Sequence, residues 1–334
     1  MTQLMEAICI VPNEGVKIKK VPRPEDPPAE HLIIRMNSSA INPGDQAFVN
    51  RPLPPGSVNS LYNVYGASGV GQVIAAGEGV PDHYLRKYVT MYRSLRYSST
   101  MIGAWSEYTQ MHFLDCAVLP DTENPESYSG SLVNMITPYA FYKQAFAEGH
   151  KGIISTAGSS ATGIAMLGMS IAYKFPLISL VRNQNSKKKL EELGATHVIV
   201  DDNKLVPGLR ELSSQIQATA VFDGVGGSIL NKIIEALPNN STIYSYGYLG
   251  DDPLNVQMRT LTAKGISIKP FGNIRTATVQ NPENLKNALK EIADIIHMPH
   301  FKTPVGKKFR LSEIEEALIY KSENGGKAVL THLF

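Results

Sequence analysis

Between Lys151 and Asp202 the chain runs KGIISTAGSSATGIAMLGMSIAYKFPLISLVRNQ (151–184), then a lysine-rich segment, then LGATHVIVDD (193–202). The apolar run Gly152–Ser155 lies only a few positions before small residues that break a helix, so it reads as a buried strand. The small-residue turn Ala157–Gly163 then opens a helix whose apolar face uses Ile164, Leu167, Gly168 and Ile171. Leu177–Val181 reads as a second strand, and a helix and a third strand complete the stretch. This is a βαβ unit and its continuation.

Such a unit puts a helix N-terminus, with unpaired backbone N–H groups and partial positive charge, at the carboxyl end of a parallel strand. A pyrophosphate fits there. The small residues wanted for the tight turn, the close approach and the helix packing are Ala157, Ser160 and Gly163, of which only the last is glycine. A ligand-free strand-to-helix turn would also explain the pattern. After the second strand come Arg182, Asn183, Gln184, Asn185, Ser186 and Lys187, with no carboxylate between Lys174 and Glu191. A site for NAD usually carries an acidic residue here for the ribose hydroxyl, whereas a 2′-phosphate needs cations and neutral donors. NADPH is therefore the expected cofactor, with Arg182 the main phosphate ligand and Lys187 a secondary one. A solvated basic helix start, or a preference for NADH, is the alternative.

At 334 residues the chain exceeds a usual single core, so two domains are expected. A formal charge of +2 is too small for a nucleic-acid surface. Two cysteines, Cys9 and Cys116, allow no disulfide framework and no four-thiolate zinc lobe. No apolar run reaches the ~18 residues of a membrane span, and the N-terminus lacks signal-peptide character. A reducing cytoplasm is the expected location.

Upstream, Ala7–Val11, Val16–Val21 and His31–Met36 read as a β-meander, with the proline-rich stretch 22–28 as a turn that cannot belong to a ladder. The glycines within 64–77 mark a barrel corner or bulge leading into a long strand, and Val89–Tyr92, Gly103–Gln110 and Cys116–Leu119 continue the β pattern. Trp105 and Tyr108 are suited to filling a small barrel. From Pro125 the period turns helical, which places the first domain boundary. Strand-like runs at Ala220–Asp223, Thr242–Tyr246 and Gly265–Pro270 alternate with helices, the rhythm of a doubly wound parallel sheet. Beyond the long helix Pro282–His297, Ser312 and Glu315 have capping-box spacing, and the last run, 325–331, is expected to rejoin the first domain.

Seven segments carry a resemblance: 41–45 (INPGD), 103–108 (GAWSEY), the Ala157–Gly163 turn, 193–199 (LGATHVI), 221–227 (VFDGVGG), Tyr246-Gly247, and 326–330 (GKAVL). Together and in this order they resemble the medium-chain dehydrogenase/reductase superfamily, and most closely its zinc-independent quinone oxidoreductases and enoyl thioester reductases. The resemblance implies an α/β fold: a doubly wound parallel sheet (Rossmann) domain, residues 125–271, plus a GroES-like partly open β-barrel domain, residues 1–124 and 272–334. Zinc-dependent members have a Cys and a Gly-His-Glu segment where this chain has Asn42-Pro43-Gly44-Asp45 and Gly66-Ala67-Ser68, so no metal is expected.

Position by position, the resemblance implies that Thr137 lies near the nicotinamide ribose. Ser160, Ala161, Thr162 and Gly163 would meet the pyrophosphate, and Arg182, Asn183 and Gln184 the adenosine phosphate. Tyr246, Gly247, Tyr248 and Leu249 would line the crevice, Phe271, Gly272 and Asn273 would hold the carboxamide, and Lys327 would add a phosphate or ribose contact. Leu53 stands where enoyl thioester reductases place a tyrosine, so that proton donor does not transfer, and Asn42, Tyr62 and Tyr65 are the candidate catalytic residues. The expectation is an NADPH-dependent reductase of a quinone, enone or enoyl thioester. It would act on a small-molecule substrate, with no nucleic-acid or membrane partner, as a homodimer joined at edge strand Gly265–Pro270. A non-catalytic NADP(H)-binding sensor on the same fold is the rival. Acceptor choice would lie around Leu53, Pro54, Tyr65 and Tyr97.

Overall fold

The computed structural model describes residues 3–11, 13–49, 60–96, 98–122, 124–250, 252–322 and 325–332. Leu53, Pro54 and Tyr97 lie outside the described residues. Strands in the first part of the chain are β1 (Leu4–Val11), β2 (Gly15–Pro22), β3 (His31–Ala40), β4 (Ser68–Ala76), β5 (Tyr88–Tyr92), β6 (Tyr108–His112) and β7 (Cys116–Val118). Then follow β8 (Gly152–Ser155), β9 (Leu177–Val181), β10 (His197–Val200), β11 (Ala218–Asp223), β12 (Thr242–Ser245) and β13 (Ser267–Pro270). The last two are β14 (Val305–Arg310) and β15 (Lys327–Thr331). The chain forms two compact units, one of Met1–Val133, Pro282–His297 and Lys302–Phe334, the other of Asn134–Asn281 and Met298–Phe301.

The second unit holds one six-stranded sheet, ordered β10-β9-β8-β11-β12-β13, with every pairing parallel. In order of appearance this is 3-2-1-4-5-6, the doubly wound dinucleotide arrangement, whose switch point lies between its first and fourth strands, here β8 and β11. Helices cover the sheet on both faces, so its inner strands are mostly apolar. Neighbouring residues feed different cores: Ile153, Phe222 and Tyr244 pack with Phe141, Met166 and Phe271, while Ile154, Val221 and Ile243 pack with Leu209, Ile229 and Ile233. The helix Ala161–Tyr173 buries more than its expected stripe: Ala165, Met166 and Met169 are enclosed, while Ile171 is 40% exposed. Its other flank meets the returning segment, where a Cβ on Gly168 would lie 2.6 Å from the Phe301 ring. Edge strand β13 is exposed at all four residues and begins at Ser267, because Gly265 caps the preceding helix with φ +64°.

The first unit is sheet-rich, a GroES-like barrel domain. Its larger sheet runs β14-β15-β3-β4-β5-β7, with β6 also paired to β3. The hairpin β1-β2 is tied in by the bridges Ala7↔Ser106 and Cys9↔Val64. Trp105 is fully buried, edge-on to Tyr65 at 4.9 Å between ring centroids. The terminal run does rejoin this unit, since β15 pairs antiparallel with β3 through Val329↔Ala40. Of the strand expected over Gly103–Gln110, only the part from Tyr108 is continuous strand; Ser106 makes a single bridge to Ala7, and its Oγ closes a turn onto the Gly103 carbonyl at 2.8 Å. The expected Ser312 to Glu315 cap is also displaced: the Arg310 N–H donates to Glu313 Oε2 at 2.6 Å, and the helix starts at Ile314.

The first two joints between units fall at 133/134 and 281/282, where the sequence suggested 124/125 and 271/272, and 298–301 returns to the second unit. Tyr128 and Gly130 stay with the barrel because Thr90 donates its hydroxyl to the Tyr128 carbonyl at 2.8 Å and the Gly130 N–H donates to Thr303 Oγ1 at 2.8 Å. A change of hydrophobic period marks where helix begins, which need not be where packing changes partner.

Behind β3, His332 is enclosed with Nε2 3.2 Å from Ser39 Oγ, and burial pushes its pKa down to about 3. The imidazole is therefore neutral when folded, while the unfolded chain takes up a proton near pH 6.5. Stability is full above that pH and falls as pH drops towards 3. Urea unfolding at pH 7 and pH 4 is expected to show a loss roughly 3 kcal/mol larger for the natural chain than for His332→Asn.

Candidate functional site

The turn after β8 is built by short-range hydrogen bonds. Ser160 donates both its N–H (3.0 Å) and its hydroxyl (2.7 Å) to the Ala157 carbonyl, and Ser160 Oγ accepts from the Gly163 N–H at 3.0 Å. Ser160 is thus the N-cap of Ala161–Tyr173. Its side chain shapes the turn, and the backbone N–H groups of Ala161 and Thr162 open the helix with no carbonyl behind them. Gly163 is required sterically: a Cβ there would lie 2.1 Å from the Ala157 carbonyl oxygen. Beside the turn, Gly158 donates its N–H to the Leu180 carbonyl at 3.0 Å, which docks the loop on β9.

At the switch point, Thr156 donates its hydroxyl to Asp223 Oδ1 at 2.7 Å and accepts from the Gly224 N–H at 3.1 Å. Asp223 Oδ1 also receives the N–H groups of Val225 (3.2 Å) and Gly226 (3.1 Å). This clamp holds the ends of β8 and β11 at fixed separation. The sequence reading missed Thr156; its position between a strand and a small-residue turn was the available signal. Tyr246 stacks on Phe222 at 4.0 Å, with its hydroxyl enclosed near Ser160 and burial pushing its pKa up. Gly247 follows it, while Tyr248 and Leu249 are largely exposed.

Arg182, immediately after β9, is exposed, and no ion pair engages it among the described residues. Asn183 caps the next helix by accepting the Ser186 N–H at 2.9 Å, and Gln184 is exposed beside it. Lys187 pairs with Glu191 of its own helix at 3.8 Å, which leaves Arg182 as the freer cation. Elsewhere in this unit Asn273 Nδ2 donates to Thr137 Oγ1 at 3.0 Å, joining two residues expected at the nicotinamide end. Phe271 is committed to structure: its ring meets Phe141 edge-on, and its N–H serves the Ser245 carbonyl at 2.8 Å. Gly272 faces open space.

Within the barrel unit, Asn42 is the centre of a polar cluster. Its Nδ2 donates to Asp45 Oδ2 at 2.9 Å and to Ser68 Oγ at 2.9 Å, its N–H donates to Asp45 Oδ2 at 2.8 Å, and its Oδ1 accepts from Lys327 Nζ at 2.5 Å. Burial raises the Asp45 pKa, against the bonds from Asn42. Burial likewise lowers Lys327, to about 8, opposed by the Asp45 carboxylate. Tyr65 stacks on Phe48 at 5.0 Å under the Arg93 guanidinium at 4.8 Å, and burial with the nearby Asp45 charge pushes its hydroxyl pKa far up. Tyr62 stands apart: it is 42% exposed, at φ +60°, and no described bond links it to Asn42. Lys327, expected to add a phosphate or ribose contact, donates to Asn42 within this cluster.

The cluster does not suit zinc. Its donors are an amide, a hydroxyl and one carboxylate, and an ammonium already occupies the amide oxygen. Among the described residues no group of three His, Cys, Asp or Glu side chains is placed to hold a metal ion.

Residues 161–294 match the zinc-binding dehydrogenase family. A mitochondrial enoyl-[acyl-carrier-protein] reductase of Dictyostelium discoideum is 23% identical over 331 residues, covering 96% of this chain and 92% of that protein. A quinone oxidoreductase of Pseudomonas syringae has the same fold (TM-score 0.74, 18% identity, 98% and 100% of the two chains). So does a mycobacterial protein solved with NADPH (TM-score 0.71, 20% identity, 98% and 99%). With the 3-2-1-4-5-6 sheet and the barrel unit, these matches support the medium-chain dehydrogenase/reductase superfamily. The relatives it resembles include an enoyl reductase and a quinone oxidoreductase.

Gly163→Val forces a branched side chain against the Ala157 carbonyl. The expected cost is about 1–3 kcal/mol of unfolding free energy, read from the urea midpoint, with Gly168→Ala, against Phe301, as the comparison.

Proposed function

We propose that this protein is an NADPH-dependent oxidoreductase that reduces a quinone or an activated C=C without a metal. The observation that carries the cofactor assignment is the exposed Arg182 at the end of β9, in no ion pair among the described residues and in a segment with no carboxylate between Lys174 and Glu191. A guanidinium there suits a 2′-phosphate and gives a ribose diol no acceptor for its hydroxyl hydrogens. The N–H groups of Ala161 and Thr162 suit the pyrophosphate, with Gly163 leaving room for it, and Asn183 and Gln184 flank the adenosine phosphate. Tyr246 to Leu249 and Thr137 with Phe271 to Asn273 are the residues for the nicotinamide half. The relatives' names and the NADPH-bound neighbour support the same reading.

NADPH supplies a hydride. The chain must then orient an acceptor that is already electron-poor, because no Lewis acid polarises a simple ketone, and stabilise the negative charge that develops on its oxygen. Asn42 has both amide hydrogens committed to Asp45 and Ser68, so its part is to position the groups around it. Tyr65 holds its proton firmly, which suits a hydrogen-bond donor better than an acid. Tyr62 supplies no more than an exposed hydroxyl. The free, buried thiols Cys9 and Cys116 accord with a reducing cytoplasm, and β13 is the strand for pairing two copies into a dimer.

Arg182→Ala is expected to weaken NADPH by roughly 1.5–3 kcal/mol and leave NADH almost unchanged, measured by titration calorimetry. Equal affinity for NADPH in natural and variant chains would remove the phosphate assignment. Stopped-flow oxidation of NADPH across quinones, enones and enoyl thioesters is expected to show turnover with at least one class. Cofactor binding without any turnover would return the chain to the sensor reading.

A further inference from the structure

The barrel unit carries a groove that the cofactor and acceptor assignments leave unused, between the turn Asp82–Tyr84, the end of β7 and the helix Pro282–Ile295. We propose that it binds a linear aliphatic carboxylate, with the chain lying in the groove and the head at Lys286 and Lys290. Every lining residue belongs to this one unit, and the proposal stands whether or not the protein is a reductase.

The cavity has a volume of about 570 Å³, within the range of small-molecule pockets. One wall is apolar and already fixed by the fold. Tyr84 and Phe113 are buried and meet edge-on at 5.8 Å, and Tyr84 commits its hydroxyl to the Cys116 carbonyl at 3.2 Å. Val118 is held beside them by the pairing Val89↔Val118. On the opposite wall Lys286, Leu289, Lys290, Ala293 and Asp294 recur at intervals of three and four, one stripe of the helix. From Lys286 to Asp294 that stripe rises ~12 Å, so the wall is long and suits an extended chain better than a compact ring system.

Charge selects the head group. Lys286 and Lys290 stand one turn apart, both exposed, and neither enters an ion pair among the described residues. Their aliphatic stems lie along apolar surface while the ammonium groups reach the rim. His83 adds ring nitrogens on the facing turn. Asp294 is the single acid among the lining residues and stands at the far end of the stripe. It makes no ion pair with Lys290, and a cation placed four residues before an acid is the weaker order on a helix. A carboxylate head is therefore matched in sign at the lysine end and repelled at the other, which sends the chain along Leu289 towards Ala293. A cationic amphiphile would meet two ammonium groups, and a neutral one would leave them without a partner.

The test uses decanoate below its micelle-forming concentration, with the full natural chain, the double variant Lys286→Gln/Lys290→Gln, and Ala293→Trp. Titration calorimetry is expected to show saturable binding of decanoate to the natural chain, with decanol and decyltrimethylammonium about 5-fold weaker or more. The double glutamine variant is expected to weaken decanoate about 5-fold, because exposed ion pairs are individually modest, and to bring decanoate level with decanol. Added salt is expected to weaken decanoate binding to the natural chain and to leave that of the double variant unchanged. Ala293→Trp fills the groove and is expected to abolish saturable binding, with the melting temperature in the absence of decanoate unchanged. By NMR, the methyl groups of Val118, Leu289 and Ala293 are expected to shift together as decanoate is added. Absence of saturable binding overturns the proposal, as do equal affinity for decanol in the natural chain, binding that survives Ala293→Trp, and decanoate shifts that leave these three residues unmoved. Self-association of the natural chain that Ala293→Trp abolishes would make the groove a contact between copies and overturns it too. If Ala293→Trp does not fold, the glutamine variant and the methyl shifts decide.

Discussion

The second unit depends on one close approach, the Gly163 backbone against the Ala157 carbonyl, which no side chain at that position would allow. That contact lets Ala161–Tyr173 begin directly beyond the end of β8, so the helix's unpaired N–H groups open at the switch point of a six-stranded parallel sheet. The Thr156–Asp223 bond then ties the two central strands together where their connections part to opposite sides. Arg182 stands exposed at the end of the neighbouring strand, beside those two features.

The barrel unit meets a different constraint. Asp45 is fully enclosed, and an enclosed carboxylate is costly unless it is hydrogen-bonded or paired. Asn42 meets that need twice over, through its backbone and its amide, and so becomes rigid itself. Rigidity passes along to Lys327, which is why a long, flexible side chain can hold a defined position here. Asn42 therefore matters as a frame, where its residue type alone had marked it as a donor. Tyr62 and Tyr65, equivalent by sequence, part company for a similar reason: one sits on an exposed turn at positive φ, the other between Phe48, Trp105 and Arg93.

Much of the nucleotide half was legible because its signals are local. Gly152–Ser155 and Leu177–Val181 are too short and too apolar to be anything but buried strands, and the turn between strand and helix needs small residues in consecutive positions. The missing acidic residue after Val181 is equally local. Signals that depend on distant partners were not legible. Gly103–Gln110 alternates like a strand, yet Ser106 turns it back, and Trp105 pairs with Tyr65 and Ile8 from elsewhere in the chain. Ser312 has the spacing of a cap, but Arg310 and Glu313 close the turn first.

The order of residues along the chain determined the parallel sheet, the barrel's strands, the small-residue turn and the charge beside it, since each follows from side-chain size, period or charge within a short window. Tertiary structure decided which of the polar residues meet. Thr137 finds Asn273, Thr156 finds Asp223, and Lys327 finds Asn42 across 285 positions of chain. No periodicity encodes such a meeting, because it depends on how strands far apart in sequence come to share a sheet.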